Sequence, residues 1–268
     1  MKILIPTLGR ETNQKCWESL PEDFKDWAFL CTREDKVELL QKNYPNSHVI
    51  NLGMTYGIAD VRQKLIEYFP DEKVFICDDN CSFLFRDENL KLHPITSAKF
   101  LDMHHTIENM LDTYPMVGIS DRAGNNRVEK DFLEIGRSYS CYGINTDMFR
   151  KNDIRFDGMW RKNNEITQFE DFYVILSLLS KGLKNAIVYS YAFNHPHGKA
   201  GGNSLYRTED LQEKCYKALQ SEFPGIIKLK VKENASWTVG DSKDRLEAIV
   251  SWKKCYENSQ MESLDEFF

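Results

Sequence analysis

Strand-like and helix-like segments alternate through the first 80 residues, and this alternation constrains the fold more than any other feature of the chain. Such alternation is typical of a largely parallel sheet with helices on both faces, so the sequence predicts an α/β protein. The predicted strands are Lys2–Pro6, Trp27–Thr32, His48–Leu52 and Lys73–Cys77, and the predicted helices between them are Glu11–Leu20, Lys36–Lys42 and Ile58–Phe69.

The rest of the chain continues this mixture without a linker that would separate two domains. We therefore expect a single domain, with a core over residues 1–205 and a helical extension over residues 206–268 packed on that core. The further predicted elements are a helix at Ala98–Leu111, a strand at Ser138–Asn145, a helix at Phe169–Lys181, a strand at Asn185–Asn194, and helices at Glu209–Phe223 and Asp244–Tyr256.

The composition is that of an ordinary globular protein, since 41% of the 268 residues are hydrophobic and 28% are charged. The apolar runs are far shorter than the ~20 residues that span a bilayer, and the N-terminus lacks a secretion-signal pattern. Seven cysteines, an odd number spread along the chain, indicate reduced and buried thiols. These features predict a cytoplasmic protein, and the formal net charge of −6 argues against a generally basic nucleic-acid-binding surface.

Polar or glycine-containing segments follow each of the first four predicted strands. Ligands of parallel sheets bind beyond the carboxyl ends of the strands. We therefore expect a binding site at one edge of the sheet, formed by Pro6–Arg10, Thr32–Arg33, Gly53–Gly57 and Asp78–Asn80.

Two of these segments carry residues suited to a nucleotide. Pro6, Thr7 and Arg10 close the first strand, where a base and a ribose would rest. Gly57 opens the third predicted helix, and Arg62 lies one turn into it. An arginine there can reach a phosphate or pair with a strand-end aspartate, and a surface position is the alternative.

Asp78, Asp79 and Asn80 follow the fourth predicted strand directly. Carboxylate and amide oxygens are the ligands that Mg²⁺ and Mn²⁺ prefer, and such an ion can carry a diphosphate. The segment thus predicts a metal site, with Asp78 also in contact with the nucleotide. An ordinary acidic turn that caps the strand is the alternative.

Glu170 and Asp171 stand at the start of a strongly apolar predicted helix. Carboxylates at this position often do no more than cap the helix and interact with its dipole. If the metal site exists, however, a carboxylate here is a candidate general base that removes a proton from an attacking hydroxyl group.

A histidine-rich and glycine-rich loop follows the strand that ends at Asn194. His195 or His197 could complete a metal shell, and Lys199, Gly201 and Gly202 could close over phosphates. The alternatives are a hydrogen-bonding histidine and a plain surface turn.

Taken together, these motifs resemble the GT-A glycosyltransferases over roughly residues 1–205. The resemblance matches Pro6 to Arg10 with the nucleoside-binding turn, Gly57 to Arg62 with the G-x-x-x-x-R helix, Asp78 to Asn80 with the DxD metal motif, Glu170-Asp171 with the x-E-D motif, and His195 or His197 with a late metal ligand. It implies a Rossmann-like sheet, a UDP-sugar donor of glucose or arabinose type, Mn²⁺ or Mg²⁺, and Asp171 as the base of an inverting transfer. Asn80 departs from the common aspartate.

Within that fold, the chain looks most like the phage-type glycosyltransferases associated with TET/JBP oxygenases. That resemblance implies hydroxymethylated pyrimidines in DNA as acceptors, a flipped-out base, and a host-cytoplasmic location. Basic and aromatic residues of the second half of the chain would then contact DNA. The candidates are Arg122, Arg127, Arg137, Arg155, Trp160, Arg161 and Lys162.

Three alternatives stay open at this point. One is a glycosyltransferase with a polysaccharide, lipid or protein hydroxyl acceptor. Another is a sugar-phosphate nucleotidyltransferase, which normally carries a G-x-G-x-R loop, whereas Pro6–Arg10 has one glycine. The third is a non-catalytic module that binds a nucleotide-sugar or a nucleic acid.

Overall fold

The structure is a computed structural model that describes residues 1–124, 128–195, 208–233 and 244–265. The strands are Lys2–Pro6 (β1), Ala28–Thr32 (β2), His48–Asn51 (β3), Lys73–Cys77 (β4), Ser82–Arg86 (β5), Leu92–Pro94 (β6), Met116–Asp121 (β7), Phe132–Glu134 (β8), Cys141–Asn145 (β9), Ala186–Asn194 (β10), Ile227–Lys232 (β11) and Arg245–Val250 (β12).

Helices lie between most of these strands. They are Lys15–Ser19 (α1), Glu22–Lys25 (α2), Val37–Asn43 (α3), Ile58–Tyr68 (α4), Ser97–Met110 (α5), Thr146–Lys151 (α6), Gly158–Lys162 (α7), Glu170–Ser180 (α8), Glu209–Glu222 (α9) and Trp252–Asp265 (α10). Gly182 follows α8 with φ +73°, which is the left-handed conformation expected of a glycine at a helix end.

One mixed, mostly parallel sheet organises residues 2–194, as the alternation of segments predicts. Its strand order is β3-β2-β1-β4-β9-β7-β10-β5-β6, and β8 also pairs with β10. The neighbours β3, β2, β1 and β4 are parallel, and β10 is parallel to β7. Because β9 runs antiparallel between β4 and β7, those two strands also point in the same direction.

Both faces of the sheet are buried, which explains the nearly continuous apolar runs of β1 and β4. Leu4 and Ile76 belong to the core on one face, together with residues of α8, α9 and α10. Ile3, Ile5 and Phe75 belong to the core on the other face, together with residues of α1 and α5. Successive strand side chains point to opposite faces, so one short strand contributes to both cores.

The strand directions bring the polar segments to one edge of the sheet. The carboxyl ends of β1, β2, β3, β4, β7 and β10 lie at this edge, and so does the amino end of β9, which runs the opposite way. The segments after β1, β4, β7 and β10, and the segment before β9, therefore share one side of the molecule.

The C-terminal segment differs from the prediction in one respect. We predicted a helix over Asp244–Tyr256, but Arg245–Val250 is a strand that pairs antiparallel with Ile227–Lys232, and the helix begins only at Trp252. The two strands form a separate two-stranded sheet. Helix α10 packs against α8, with the Cys255 thiol 3.7 Å from the Leu176 carbonyl oxygen.

Two predictions from composition can be compared with the coordinates. All seven cysteines are buried and free of disulfides, as their number and spacing predict. Across the described ranges, no helix combines the length and the apolar character that crossing a bilayer requires.

Candidate active site

The turn after β1 is joined to the turn after β4 through Asp79. The Thr7 hydroxyl donates a hydrogen bond of 2.9 Å to one carboxylate oxygen of Asp79, and Arg10 forms an ion pair with the other. Gln14 donates to the Thr7 hydroxyl and to the Arg10 carbonyl oxygen, which fixes this turn. Burial raises the pKa of Asp79 to about 6, although Arg10 acts in the opposite direction.

Arg62 connects the turn after β4 with the start of α8. Its guanidinium donates a hydrogen bond of 3.0 Å to Asp78 and forms a close ion pair with Glu170. It also lies 5.4 Å from the centroid of the Tyr142 ring. The contact with Asp78 is the pair with a strand-end aspartate that the position of Arg62 in the sequence allows.

Arg62 and Glu170 are both buried, so their pairing is a strong local constraint. Burial raises the pKa of the Glu170 carboxyl, and the charge of Arg62 partly offsets that effect. Asp78 is more open, with 29% of its side chain exposed. The pair thus joins the turn after β4 to the start of α8, and Asp78 is the most exposed of the three side chains.

Asp171 is held by a second arginine. Arg137 donates hydrogen bonds of 3.0 Å from Nε and 2.9 Å from Nη2 to the Oδ2 atom of Asp171. The guanidinium lies 4.6 Å from the centroid of the Tyr139 ring and 4.3 Å from that of Phe172. Arg137 was predicted to contact the acceptor. In the structure it instead bonds to Asp171, the residue predicted to be the general base.

The residue before this pair of carboxylates has an unusual backbone. Phe169, the N-cap residue of α8, has φ +64° and ψ 30°, a left-handed conformation that is uncommon for a side chain of this size. Its ring stacks on that of Tyr216 from α9, with the centroids 4.0 Å apart and the planes at 15°. The C-terminal segment therefore contacts the residue that sets the direction of Glu170 and Asp171.

The ends of β7 and β10 form the next part of the same edge. Tyr139 donates a hydrogen bond to Asp121, the last residue of β7. Its ring lies beside the ring of His195, with the two centroids 6.2 Å apart. Arg122 follows Asp121 and is exposed. His195 also contacts Phe193, so its described ring contacts are with one residue just before β9 and one residue of β10.

A pair of aromatic rings lies where α4 approaches α7. Tyr56, just before Gly57, stacks on Trp160, and Arg161 beside it is exposed. Gly57 has φ +115°, and a side-chain carbon there would lie 3.4 Å from Thr167, so a glycine suits both the backbone and the close approach.

Several predicted site residues fall outside the described ranges. They are Arg127 of the predicted acceptor surface, His197 of the predicted metal shell, and Lys199, Gly201 and Gly202 of the predicted phosphate loop.

A divalent ion of this kind needs several well-placed oxygen ligands. Over the described ranges, no group of three or more His, Cys, Asp or Glu side chains is arranged to hold a metal ion. Asp79 is engaged by Thr7 and Arg10, whereas Asp78 and Asn80 are only partly buried at the same turn. Mg²⁺ is commonly held by one or two carboxylates together with substrate phosphates. Asp78 and Asn80 fit an ion of that kind.

Sequence reasoning missed the aromatic residues that hold the two arginines and α8. Tyr142 lies under Arg62, Tyr139 under Arg137, and Tyr216 under Phe169. Tyr139 and Tyr142 stand in the predicted strand Ser138–Asn145 at the sheet edge, and this position was the available signal. No local pattern points to Tyr216, which is distant from Phe169 in the sequence.

Structures of known proteins with this architecture bind nucleoside diphosphates. S. aureus TarS 1–349, solved with UDP, aligns with a TM-score of 0.50 and 12% identity over 83% of this chain and 65% of that chain. Glucosyl-3-phosphoglycerate synthase from Mycobacterium tuberculosis, solved with Mg²⁺ and UDP, has a TM-score of 0.50 and 11% identity over 91% and 89%. GalNAc-T7, solved with UDP, GalNAc and Mn²⁺, has a TM-score of 0.50 and 10% identity over 81% and 47%. No curated protein sequence matches this chain.

The fold is therefore that of the GT-A glycosyltransferases. The model of the TET-Associated Glycosyltransferase family matches residues 1–202. The chain belongs to this family and is a glycosyltransferase. Among the alternatives left open by the sequence, the nucleotidyltransferase and the non-catalytic module are no longer favoured.

Proposed function

We propose that the protein transfers the sugar of a UDP-sugar, of glucose or arabinose type, to the hydroxymethyl group of a modified pyrimidine in DNA, with inversion at the anomeric carbon. The observation that carries the proposal is the bridge made by Arg62, which joins Asp78 to Glu170, the neighbour of Asp171 in the chain. A donor-binding turn and a proton acceptor can then serve the same reaction. The family match and the UDP complexes of proteins with this fold support the donor.

In this mechanism Asp171 is the general base. The acceptor oxygen attacks the anomeric carbon while its proton passes to Asp171, and the electron pair of the breaking bond leaves with the UDP diphosphate. Arg137 bonds to Oδ2 of Asp171, so the proton would be taken up at Oδ1. Arg137 fixes the orientation of the carboxylate through these two hydrogen bonds, which makes it a positioning residue.

Glu170 has a different part in this scheme. It is buried against Arg62, so it orients the guanidinium that also contacts Asp78. We assign Glu170 to the alignment of the donor-binding turn rather than to proton transfer. The turn from Pro6 to Arg10, fixed by Asp79 and Gln14, would receive the nucleoside.

A divalent cation, Mn²⁺ or Mg²⁺, would be held by Asp78 and Asn80 together with the donor diphosphate. It would stabilise the negative charge that develops on the leaving diphosphate. Asp79 would hold this turn in place through its hydrogen bond with Thr7 and its ion pair with Arg10. His195 would approach the ion from the end of β10, and His197 would be the other candidate.

The experiment that tests the proposal is incubation of the protein with a panel of UDP-sugars and DNA that contains 5-hydroxymethylcytosine or 5-hydroxymethyluracil, followed by digestion and mass analysis of the nucleosides. The expected result is one hexosyl or pentosyl mass increment on the modified nucleoside. If sugar is transferred to an oligosaccharide or a peptide hydroxyl while the nucleosides stay unmodified, DNA is not the acceptor. If UDP is released at the full rate in excess EDTA, the reaction does not need a metal ion.

A further inference from the structure

Tyr56, which is exposed, and Trp160, which is half-buried, form a pair of stacked rings that the scheme above does not use. The ring centroids are 5.9 Å apart and the planes are at 15°. Tyr56 is 61% exposed, and Met54, two residues earlier in the chain, is 52% exposed. We call Tyr56 and Trp160 the aromatic shelf.

Hydrogen bonds between helix α4 and the segment that leads into α7 hold the aromatic shelf in place. Its two rings belong to neighbouring elements, because Tyr56 precedes α4 and Trp160 lies in α7. The backbone N–H of Phe156, just before α7, donates a 3.0 Å hydrogen bond to Gln63 of α4. Arg155 bonds to Glu67 of α4 and to Asp157 at 2.8 to 3.1 Å. These contacts fix α7 on α4, so the two rings form a preorganised surface.

The position of the shelf connects it with the candidate active site. Tyr56 lies in the Gly53–Gly57 segment, at the sheet edge where the ligand-binding turns meet. The helix that follows carries Arg62, and Gly57 abuts Thr167, close to the start of α8. The shelf therefore lies beside the candidate active site, on the side of α4 and α7.

We propose that the aromatic shelf is the subsite on which a base of the acceptor nucleic acid stacks. A planar base extends a pair of parallel rings, and enzymes that act on bases hold the unstacked base against aromatic side chains. The exposed guanidinium of Arg161, next to Trp160, would contact the adjoining phosphate. This inference rests on the proposed function, because it takes the acceptor to be a nucleic acid.

The test compares variants with a single-stranded oligonucleotide that carries one 5-hydroxymethylcytosine, at saturating UDP-sugar. The variants are Tyr56→Ala, Trp160→Ala and the conservative Tyr56→Phe, and the control is Tyr68→Ala, an exposed tyrosine at the far end of α4 (58% exposed). Each alanine variant should raise the acceptor KM by roughly tenfold, with donor KM and acceptor-independent UDP release unchanged. Tyr56→Phe and Tyr68→Ala should remain close to the wild type.

An unchanged acceptor KM would overturn the inference, and a raised donor KM would reassign the shelf to the donor sugar. A binding measurement separates this inference from the proposed function. Tryptophan fluorescence of the wild type should be quenched when the same oligonucleotide is added, and Trp160→Phe should lose that quenching. If the wild type transfers no sugar but shows this quenching, the shelf is supported and the proposed reaction fails. If the wild type shows no quenching, the shelf inference fails.

Discussion

Arg137 donates two hydrogen bonds to one oxygen of Asp171, from Nη2 at 2.9 Å and from Nε at 3.0 Å. The same guanidinium is packed against the rings of Tyr139 and Phe172. A lysine can reproduce the charge but neither the paired donors nor the flat stacking surface. The orientation of Asp171 should therefore depend on the guanidinium itself.

Replacing Arg137 by lysine should lower kcat by roughly 10- to 100-fold, because a small misplacement of a catalytic group costs about this factor. The KM for the UDP-sugar should change little. Steady-state kinetics measure both values. The matched control is Arg150→Lys, which alters a surface ion pair with Asp71 and Asp147 and should leave kcat unchanged. Equal kinetics for the wild type and Arg137→Lys would remove the positioning role.

Replacing Arg62 by methionine should lower the free energy of unfolding by about 3–5 kcal/mol, since it leaves Glu170 buried without its partner. The double variant Arg62→Met with Glu170→Gln should recover part of this loss, because no unpaired charge then remains. Urea denaturation at neutral pH measures the difference. If the single and the double variant are equally unstable, the buried pair is not the cause.

The raised pKa of Asp79 predicts a pH effect on the stability of the metal-free protein. Because its pKa is about 6 in the folded state and about 3.8 when unfolded, the folded state binds more protons between these values. The contribution of Asp79 to stability is thus greatest below pH 4 and is lost as the pH rises to 6. Asp79→Asn removes this loss, so the variant should gain up to about 3 kcal/mol relative to the wild type across that window.

Urea titrations in EDTA at pH 4, 5, 6 and 7 measure this difference in the free energy of unfolding. Asparagine has one acceptor oxygen, so it keeps the hydrogen bond from Arg10 or the one from Thr7 but not both. That loss is the same at every pH, so the change of the difference with pH isolates the charge. A difference between the two proteins that stays constant from pH 4 to pH 6 would show that the carboxyl group has no such shift.

The stack of Tyr216 on Phe169 predicts that the C-terminal segment, beyond the part of the chain that matches the family model, contributes to activity. Tyr216→Ala removes the ring that packs on the left-handed residue before Glu170, so kcat should fall by roughly tenfold or more. Tyr216→Phe keeps the ring and should restore kcat. Leu219→Ala, at a buried position of the same helix, should reduce the melting temperature but not kcat. If Leu219→Ala lowers kcat as much, the effect is one of stability alone.

Much of the fold could be predicted because β1, β2 and β4 are buried parallel strands, whose apolar runs are visible locally. The strand β12 was wrongly predicted as helix because Leu246, Ile249 and Val250 also fit a helical spacing. Its partner Ile227–Lys232 is a separate segment, and that pairing determines its conformation. Strands β5, β6 and β8 were missed for a similar reason, since they pair antiparallel with other segments of the chain. Strand β7 was also missed, although it is six residues long and mostly buried.

The candidate site divides in the same way. The alternation of strands and helices is sufficient to place Asp78 at the sheet edge. The apolar residues that follow Glu170 and Asp171 are sufficient to predict that a helix starts at these two carboxylates. The hydrogen bonds between Arg137 and Asp171 depend on packing between residues that are distant in the chain, so no local sequence pattern predicts them. The same holds for Tyr139 and Tyr216, which support the arginine and the helix start.

The measurement that tests the central claim most directly compares the wild type with Asp171→Asn. Each protein is incubated with the UDP-sugar that the panel identifies and with hydroxymethylated DNA, and the sugar-bearing nucleoside is quantified while donor binding is measured by calorimetry. We predict that the variant binds the donor as the wild type does and transfers sugar roughly 10²- to 10⁴-fold more slowly, because it cannot accept the acceptor proton. Transfer by Asp171→Asn at the wild-type rate would contradict the proposed mechanism.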